Sequence, residues 1–268
     1  MLLLATVASA AAPTAVRVEL TGALIEGGVV FGKTEPGANV TLDGRSVRVA
    51  KDGRFVFGFG RDAPTTATLE VHYSDGTVTH MPLQIATRQY EIQKVEGLSQ
   101  KLVTPSPEEE ARIAREQAEV TQARTLDLDE PLFESKFIWP ALGPISGVYG
   151  SQRILNGTPR APHYGVDVAA PEGSPVVSPA DGLVTFAEPD LLLTGGTLII
   201  DHGHGLSSTF LHLSRIDVKV GQRLHQGDLV GAVGATGRAT GPHLHWGMNW
   251  FDVRVDPALV VGPMPATQ

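Results

Sequence analysis

The chain of 268 residues contains no cysteine. That excludes disulfide bridges and every zinc site built on thiolates, and leaves imidazole and carboxylate as the strong metal ligands available. Positive charge is not in excess either. With a formal net charge of -8, and carboxylates spread along the chain instead of gathered in a tail, no nucleic-acid partner is expected. Beyond the first residues no apolar run is long enough to span a bilayer. A glycine-rich phosphate loop and a helix-borne His-Glu-x-x-His are both missing, so nucleotide binding and the helical zinc proteases lose support. What is present is a hydrophobic fraction of 42 %, enough for real cores in a chain long enough for two domains.

The organisation reads as mostly β. Residues 1–12 resemble an export signal, with Met1-Leu2-Leu3-Leu4-Ala5-Thr6-Val7 apolar and Ala8-Ser9-Ala10 of the small-x-small form that precedes cleavage. From 14 to 86, apolar and polar residues alternate between turns such as Glu35-Pro36-Gly37, Asp43-Gly44, Asp52-Gly53 and Asp75-Gly76. That pattern predicts a small, immunoglobulin-like β-sandwich in which His72 and His80 are strand-surface residues. Residues 87–136 form a linker. Within it Ser106-Pro107-Glu108-Glu109 combines a capping residue, a first-turn proline and a returning carboxylate, predicting a helix over about 107–124. Opposite charges four apart (Glu108/Arg112, Arg112/Glu116, Arg115/Glu119) and few large apolar residues beyond Ile113 and Val120 place this helix on the surface, with a lid over a groove as its functional alternative. Residues 137–261 return to short apolar runs punctuated by glycine, an all-β domain.

Metal-ligand chemistry gathers in that last stretch. His163 and Asp167 lie an even number of residues apart in His163-Tyr164-Gly165-Val166-Asp167, and His243-Leu244-His245 follows eighty residues later. Residues i and i+2 of a strand project to one face. If 242–248 is a strand, His243 and His245 share a space and Leu244 and Trp246 face away. Imidazole and carboxylate suit zinc, whose catalytic sites use three protein ligands and keep a fourth position open for water. Four candidates compete for three places, and spacing does not choose among them. His202 and His204, flanking Gly203, are read as turn structure, and His225 as a solvated turn residue.

Several motifs, in order, resemble those of the LytM/lysostaphin-type zinc endopeptidases of peptidoglycan: Pro162-His163-Tyr164-Gly165-Val166-Asp167, Gly173-Ser174-Pro175-Val176, Phe210-Leu211-His212-Leu213 and Thr236-Gly237-Arg238-Ala239-Thr240-Gly241-Pro242-His243-Leu244-His245. The likeness covers roughly residues 140 to 250. It implies a C-terminal antiparallel β-sheet or half-barrel metallopeptidase domain. By the family pattern His163, Asp167 and His245 hold one zinc ion per chain, and His212 and His243 are the catalytic histidines beside its open position. A peptidoglycan peptide is the implied substrate. The upstream arrangement looks like exported Gram-negative members, which implies a periplasmic protein without a membrane span once mature, and leaves room for a regulatory protein partner. Loops around 188–196 and 235–241 are expected to wall the groove. Relatives that have lost ligands act as non-catalytic LytM-type activators of cell-wall amidases, the alternative reading.

Overall fold

The computed structural model describes residues 17–95, 106–133 and 136–265; the export-signal-like residues 1–12 lie outside them. The chain is mostly β, as its alternation predicts. In its first part, Val18–Gly22, Val29–Thr34 and Arg54–Gly58 form a three-stranded antiparallel sheet. Arg45–Val47, Asn39–Leu42, Thr66–His72 and Val78–Gln84 form a four-stranded antiparallel one. Thr66–His72 shows the rule at work: Ala67, Leu69 and Val71 are buried while Thr66, Thr68 and His72 are exposed, because successive side chains of a strand leave on opposite faces.

The strand Arg54–Gly58 departs from that rule. Phe55, Val56 and Phe57 are all fully buried, so both of its faces are covered. A Cβ on Gly58 would lie 2.7 Å from Val255 and 3.2 Å from Trp250, which shows how closely the C-terminal part approaches. Phe31 packs its ring 5.9 Å from Phe133 and 6.4 Å from Phe137, and Arg88 reaches the nearly buried Asp256 at 2.8 Å. One apolar cluster therefore runs through both parts of the chain.

The C-terminal part is organised on an eight-stranded antiparallel sheet. Its order is Arg223–Leu224, Gly182–Leu191, Gly195–Asp201, Leu206–Leu213, His243–Trp250, Val166–Ala169 and Ile145–Gly147, with Val253–Val255 pairing alongside His243–Trp250. A small sheet of Pro175–Val177, Leu229–Ala232 and Arg215–Ile216 accompanies it. Residues 188–196, expected as a loop, are in fact a hairpin: Gly182–Leu191 runs irregularly to its end and Gly195 opens the next strand. The linker adds a strand that sequence alternation does not announce, Ile92–Val95, which pairs in parallel with Gln152–Leu155. Its pairing is made by backbone groups, and the Ile92 side chain stays exposed.

The helix spans Pro107–Ala123 with a complete capping box between Ser106 and Glu109, close to the expected limits. It lies on the surface as expected, with Glu116 its one buried residue, but it is firmly anchored there. Val120 and Ala123 pack on Phe186, Leu191 and Ile199, and Glu116 is only 8 % exposed. The Glu116 carboxylate accepts hydrogen bonds from the Leu192 backbone N–H at 2.9 Å and from Arg112 at 2.5 Å. Arg112 also donates to the Asp190 carbonyl at 2.6 Å. The helix is thus latched by charge to the 190–192 turn, an anchorage that a count of apolar residues misses. Among the described residues no helix is long and apolar enough to cross a membrane.

Glu116→Ala removes the acceptor of the half-buried Leu192 N–H, a loss of about 0.5–1.5 kcal/mol. Hydrogen–deuterium exchange should show residues 107–123 exchanging faster in this variant while Gly195–Asp201 keeps its protection; unchanged helix protection would contradict the latch.

Candidate metal centre

Strand pairing builds the centre. Val166–Ala169 runs antiparallel to His243–Trp250 with Asp167 opposite His245 and Ala169 opposite His243. Leu244, Trp246 and Val168 are fully buried and Val166 nearly so, so the alternate residues Asp167, His243 and His245 share the other face. His163 reaches the same point by a different route from the one expected. It precedes the strand, in a segment where its N–H donates to the Ser151 carbonyl and its own carbonyl accepts from Gly150 N–H, each at 2.8 Å. Two glycines make room. A Cβ on Gly147 would run into the Asp167 carboxylate, and one on Gly165 would lie 2.7 Å from the His245 ring.

Three donor atoms converge there. His163 Nε2, Asp167 Oδ1 and His245 Nδ1 are 3.0, 3.0 and 2.9 Å apart pairwise, and among the described residues they form the cluster suited to a metal ion. A tetrahedral ion with bonds of about 2.0 Å sets its ligands roughly 3.3 Å apart. His163 Nδ1 lies 3.1 Å from the Val148 carbonyl. A carbonyl only accepts, so this bond puts the proton on Nδ1 and turns the Nε2 lone pair of the neutral ring inward. Lone pairs facing a carboxylate oxygen form a pocket for positive charge, and this donor set fits zinc.

The electrostatics agree. Burial pulls the His163 pKa down, but its bond and charge interaction with Asp167 outweigh that and raise it overall. Burial alone would raise Asp167; the flanking imidazoles hold it far below the usual carboxylate range. His245 is lowered, chiefly by burial. The cluster therefore stabilises one positive charge in its midst.

Two more imidazoles stand beside it. The His243 Nε2 atom is 3.8 Å from Asp167 Oδ1, and the His212 ring lies 4.8 Å from that of His243 and 6.5 Å from that of His245. His212 Nδ1 is held by the Thr236 carbonyl at 2.8 Å and His243 Nδ1 by the Gly241 carbonyl at 2.8 Å. In its neutral form each ring therefore carries its proton on Nδ1 and leaves Nε2 as the acceptor. His212 is lowered, first by burial and further by the neighbouring His243. Strand alternation would turn His212 away, since Leu211 is the residue opposite His245. A left-handed backbone, φ 64°, redirects it, a conformation rare for a residue with a side chain.

The sequence could not supply the carbonyls of Val148, Thr236 and Gly241, because backbone acceptors have no residue code. Thr236 has a second task that its type does hint at. Its hydroxyl accepts from Gly196 N–H and donates to the Leu213 carbonyl, each at 2.9 Å, tying the 235–241 loop to the hairpin. His202 and His204 lie apart from this centre. His202 is fully buried, donating from Nδ1 to the Asp181 carbonyl at 2.7 Å and accepting at Nε2 from Ser208, which also accepts from Trp246. His204 binds the Asp129 carbonyl, and the exposed His225 sits in a turn near Asp228.

Comparison with known proteins follows the same residues. The profile of peptidase family M23 matches residues 161–257. A solved structure from Pseudomonas aeruginosa assigned to peptidase M23 is 33 % identical, superimposes with a TM-score of 0.68, and aligns over 89 % of this chain and 95 % of its own. Cell division protein DipM of Caulobacter vibrioides is 33 % identical over 165 residues, 59 % of this chain and 26 % of DipM. Peptidoglycan DD-endopeptidase ShyA of Vibrio cholerae is 42 % identical over 103 residues, 38 % of this chain and 24 % of ShyA. The matches to these two curated relatives thus span about a quarter of their length.

His202 yields a pH prediction. Burial pushes its pKa from 6.5 down to about 4. The unfolded chain therefore binds the extra proton first, and the stability contributed by neutral His202 is present above pH 6.5 and lost as pH falls towards 4. Burial raises the adjacent Asp201 to about 6, an effect of opposite sign that both proteins in a comparison share. Melting curves of wild type and His202→Gln between pH 7 and 4 should show the variant losing less Tm on acidification; parallel curves would contradict this account.

Proposed function

The chain belongs to peptidase family M23, and from that premise we propose that it is an exported, zinc-dependent endopeptidase that hydrolyses peptide bonds in peptidoglycan stem peptides or their cross-links. One observation carries the reading: His163, Asp167 and His245 bring three donor atoms within 3.0 Å of one another beside His212 and His243, whose Nδ1 atoms are tied to carbonyls. Similarity to a peptidoglycan DD-endopeptidase supports the substrate class. In this reading residues 137–261 are the catalytic domain, 14–86 a packing or spacer domain, and 1–12 the export signal that sends the protein to the periplasm.

His163, Asp167 and His245 would hold one zinc ion. When bound, zinc supplies Lewis acidity, towards a water that it makes acidic near neutral pH and towards the scissile carbonyl. The protein's own groups do the rest. His212 is neutral at pH 7, since its pKa is lowered, and its free Nε2 can accept a proton from the attacking water. His243, 3.8 Å from the Asp167 carboxylate, stands where an imidazole can steady the developing oxyanion or return a proton to the leaving amine. The two rings share these tasks. Fixing Nδ1 of each by a carbonyl keeps the reactive nitrogen aimed at the substrate without reorganisation.

The test is digestion of defined cross-linked muropeptides with the products identified by mass. Cleavage should stop on chelation and return with zinc, and His212→Ala or His243→Ala should lower kcat roughly 10²–10⁴-fold. Chelator-resistant cleavage would remove zinc from the account. Absence of cleavage, with stimulation of a cell-wall amidase that survives His163→Ala, would mark a non-catalytic activator instead.

A further inference from the structure

A cavity of about 350 Å³ adjoins the metal centre, with His245, Tyr164, Gly247 and Thr209 on one side and Arg124 and Arg254 on its wall. Arg124 is the C-cap of the helix, and Arg254 lies in Val253–Val255, opposite Asn249. Both side chains are largely buried, and among the described residues neither has an acidic partner. Arg124 donates to the Thr209 hydroxyl at 3.1 Å, while its Nε is buried without a hydrogen bond. The Arg254 guanidinium lies 5.8 Å from the centre of the Tyr164 ring. Burial lowers the pKa of both, that of Arg124 to about 9, and the charge of Arg254 adds to the effect on Arg124.

This arrangement is unfavourable for the protein alone. Guanidinium groups do not give up their proton in proteins, and buried ones are ordinarily matched by a carboxylate. Acid is not scarce: the chain has 29 acidic residues against 21 lysines and arginines. Other arginines find it readily, as Arg88 does with Asp256 and Arg223 with Glu130. The cavity's own carboxylate, Glu116, is already bound by Arg112 and the Leu192 N–H, so two cations without an acidic partner, beside the proposed reaction centre, are positioned for an anion that arrives from outside. A guanidinium matches a carboxylate in bidentate geometry.

Resting on the peptidase reading above, we infer that Arg124 and Arg254 form a carboxylate-binding subsite that holds a free carboxylate of the peptide substrate beside the metal centre. The carboxylate belongs either to a chain terminus or to a side chain of the peptide, and the chemistry of recognition is the same. Because Arg124 sits at the end of the helix, the docked helix completes the subsite as well as walling the cavity.

The experiment uses the zinc-loaded full chain and a cross-linked muropeptide in three forms: unmodified, amidated at its chain-terminal carboxylates, and amidated at its other carboxylates. Wild type should cleave one amidated form with kcat/KM about tenfold lower, through KM, the equivalent of one lost interaction of ~1.4 kcal/mol. The form affected identifies the source. In Arg254→Met and Arg124→Met that preference should vanish, the amidated and unmodified forms being cleaved with equal kcat/KM, and Arg254→Lys should keep part of it. A preference that persists in both methionine variants overturns the inference. So does a wild type indifferent to either amidation, or a methionine variant that melts lower and loses equally on all three forms, which would mark the arginines as structural. Should the wild type cleave none of the three, the peptidase reading fails, and melting with glutarate decides the subsite separately. A Tm rise in wild type that is lost in Arg254→Met supports it, and no rise overturns it.

Discussion

Asp167 stands opposite His245 across two antiparallel strands, and the centre exists because that register cannot slip. Val166, Val168, Leu244 and Trp246 fill the core from the other faces of the same strands. A shift of one residue would carry these into the open and send the polar residues inside. The hydrophobic effect thus supplies the force that holds a carboxylate and an imidazole 2.9 Å apart. Behind the centre, the bonds from Trp246 to Ser208 and from Ser208 to His202 fix the back of the strand that carries both His243 and His245.

A second constraint acts on proton position. The carbonyls of Val148, Thr236 and Gly241 each take the Nδ1 proton of one imidazole, and in each case the opposite nitrogen is left to act. In His163 that nitrogen joins the donor cluster, and in His212 and His243 it faces the space beside it. The same five side chains with other tautomers would have neither three inward lone pairs nor two free bases. Conformational strain at His212, with its left-handed backbone, is the kind of cost that packing elsewhere sustains at a working site.

Legibility from sequence followed the physics of each feature. His243 and His245 were readable because the i, i+2 rule and the flanking Leu244 and Trp246 define both faces of the strand. The helix was readable because Ser106, Pro107 and Glu109 state its start chemically. His163 was placed by resemblance more than by geometry, since the segment before Val166 is held by hydrogen bonds with Gly150 and Ser151 and not by strand pairing. His212 defies alternation, so no periodic rule could aim it. The anchorage of the helix is harder to read, because beside the packing of Val120 and Ala123 it rests on Glu116 and Arg112 meeting backbone groups far along the chain. The parallel strand Ile92–Val95 is hard to read for a like reason, its pairing resting on backbone groups without an apolar stripe. Where the sequence expresses its physics in side-chain pattern it can be read; where it works through single backbone partners it cannot.

The central claim is that His163, Asp167 and His245 form one zinc site. Zinc-edge anomalous diffraction from crystals of the full chain, paired with zinc titration of the wild type and of a folded His245→Ala variant, tests it most directly. The account predicts one zinc per chain, bonded to His163 Nε2, Asp167 Oδ1 and His245 Nδ1 at about 2.0–2.2 Å, and loss of that binding in the variant. Zinc bound elsewhere, or held as tightly without His245, would contradict it.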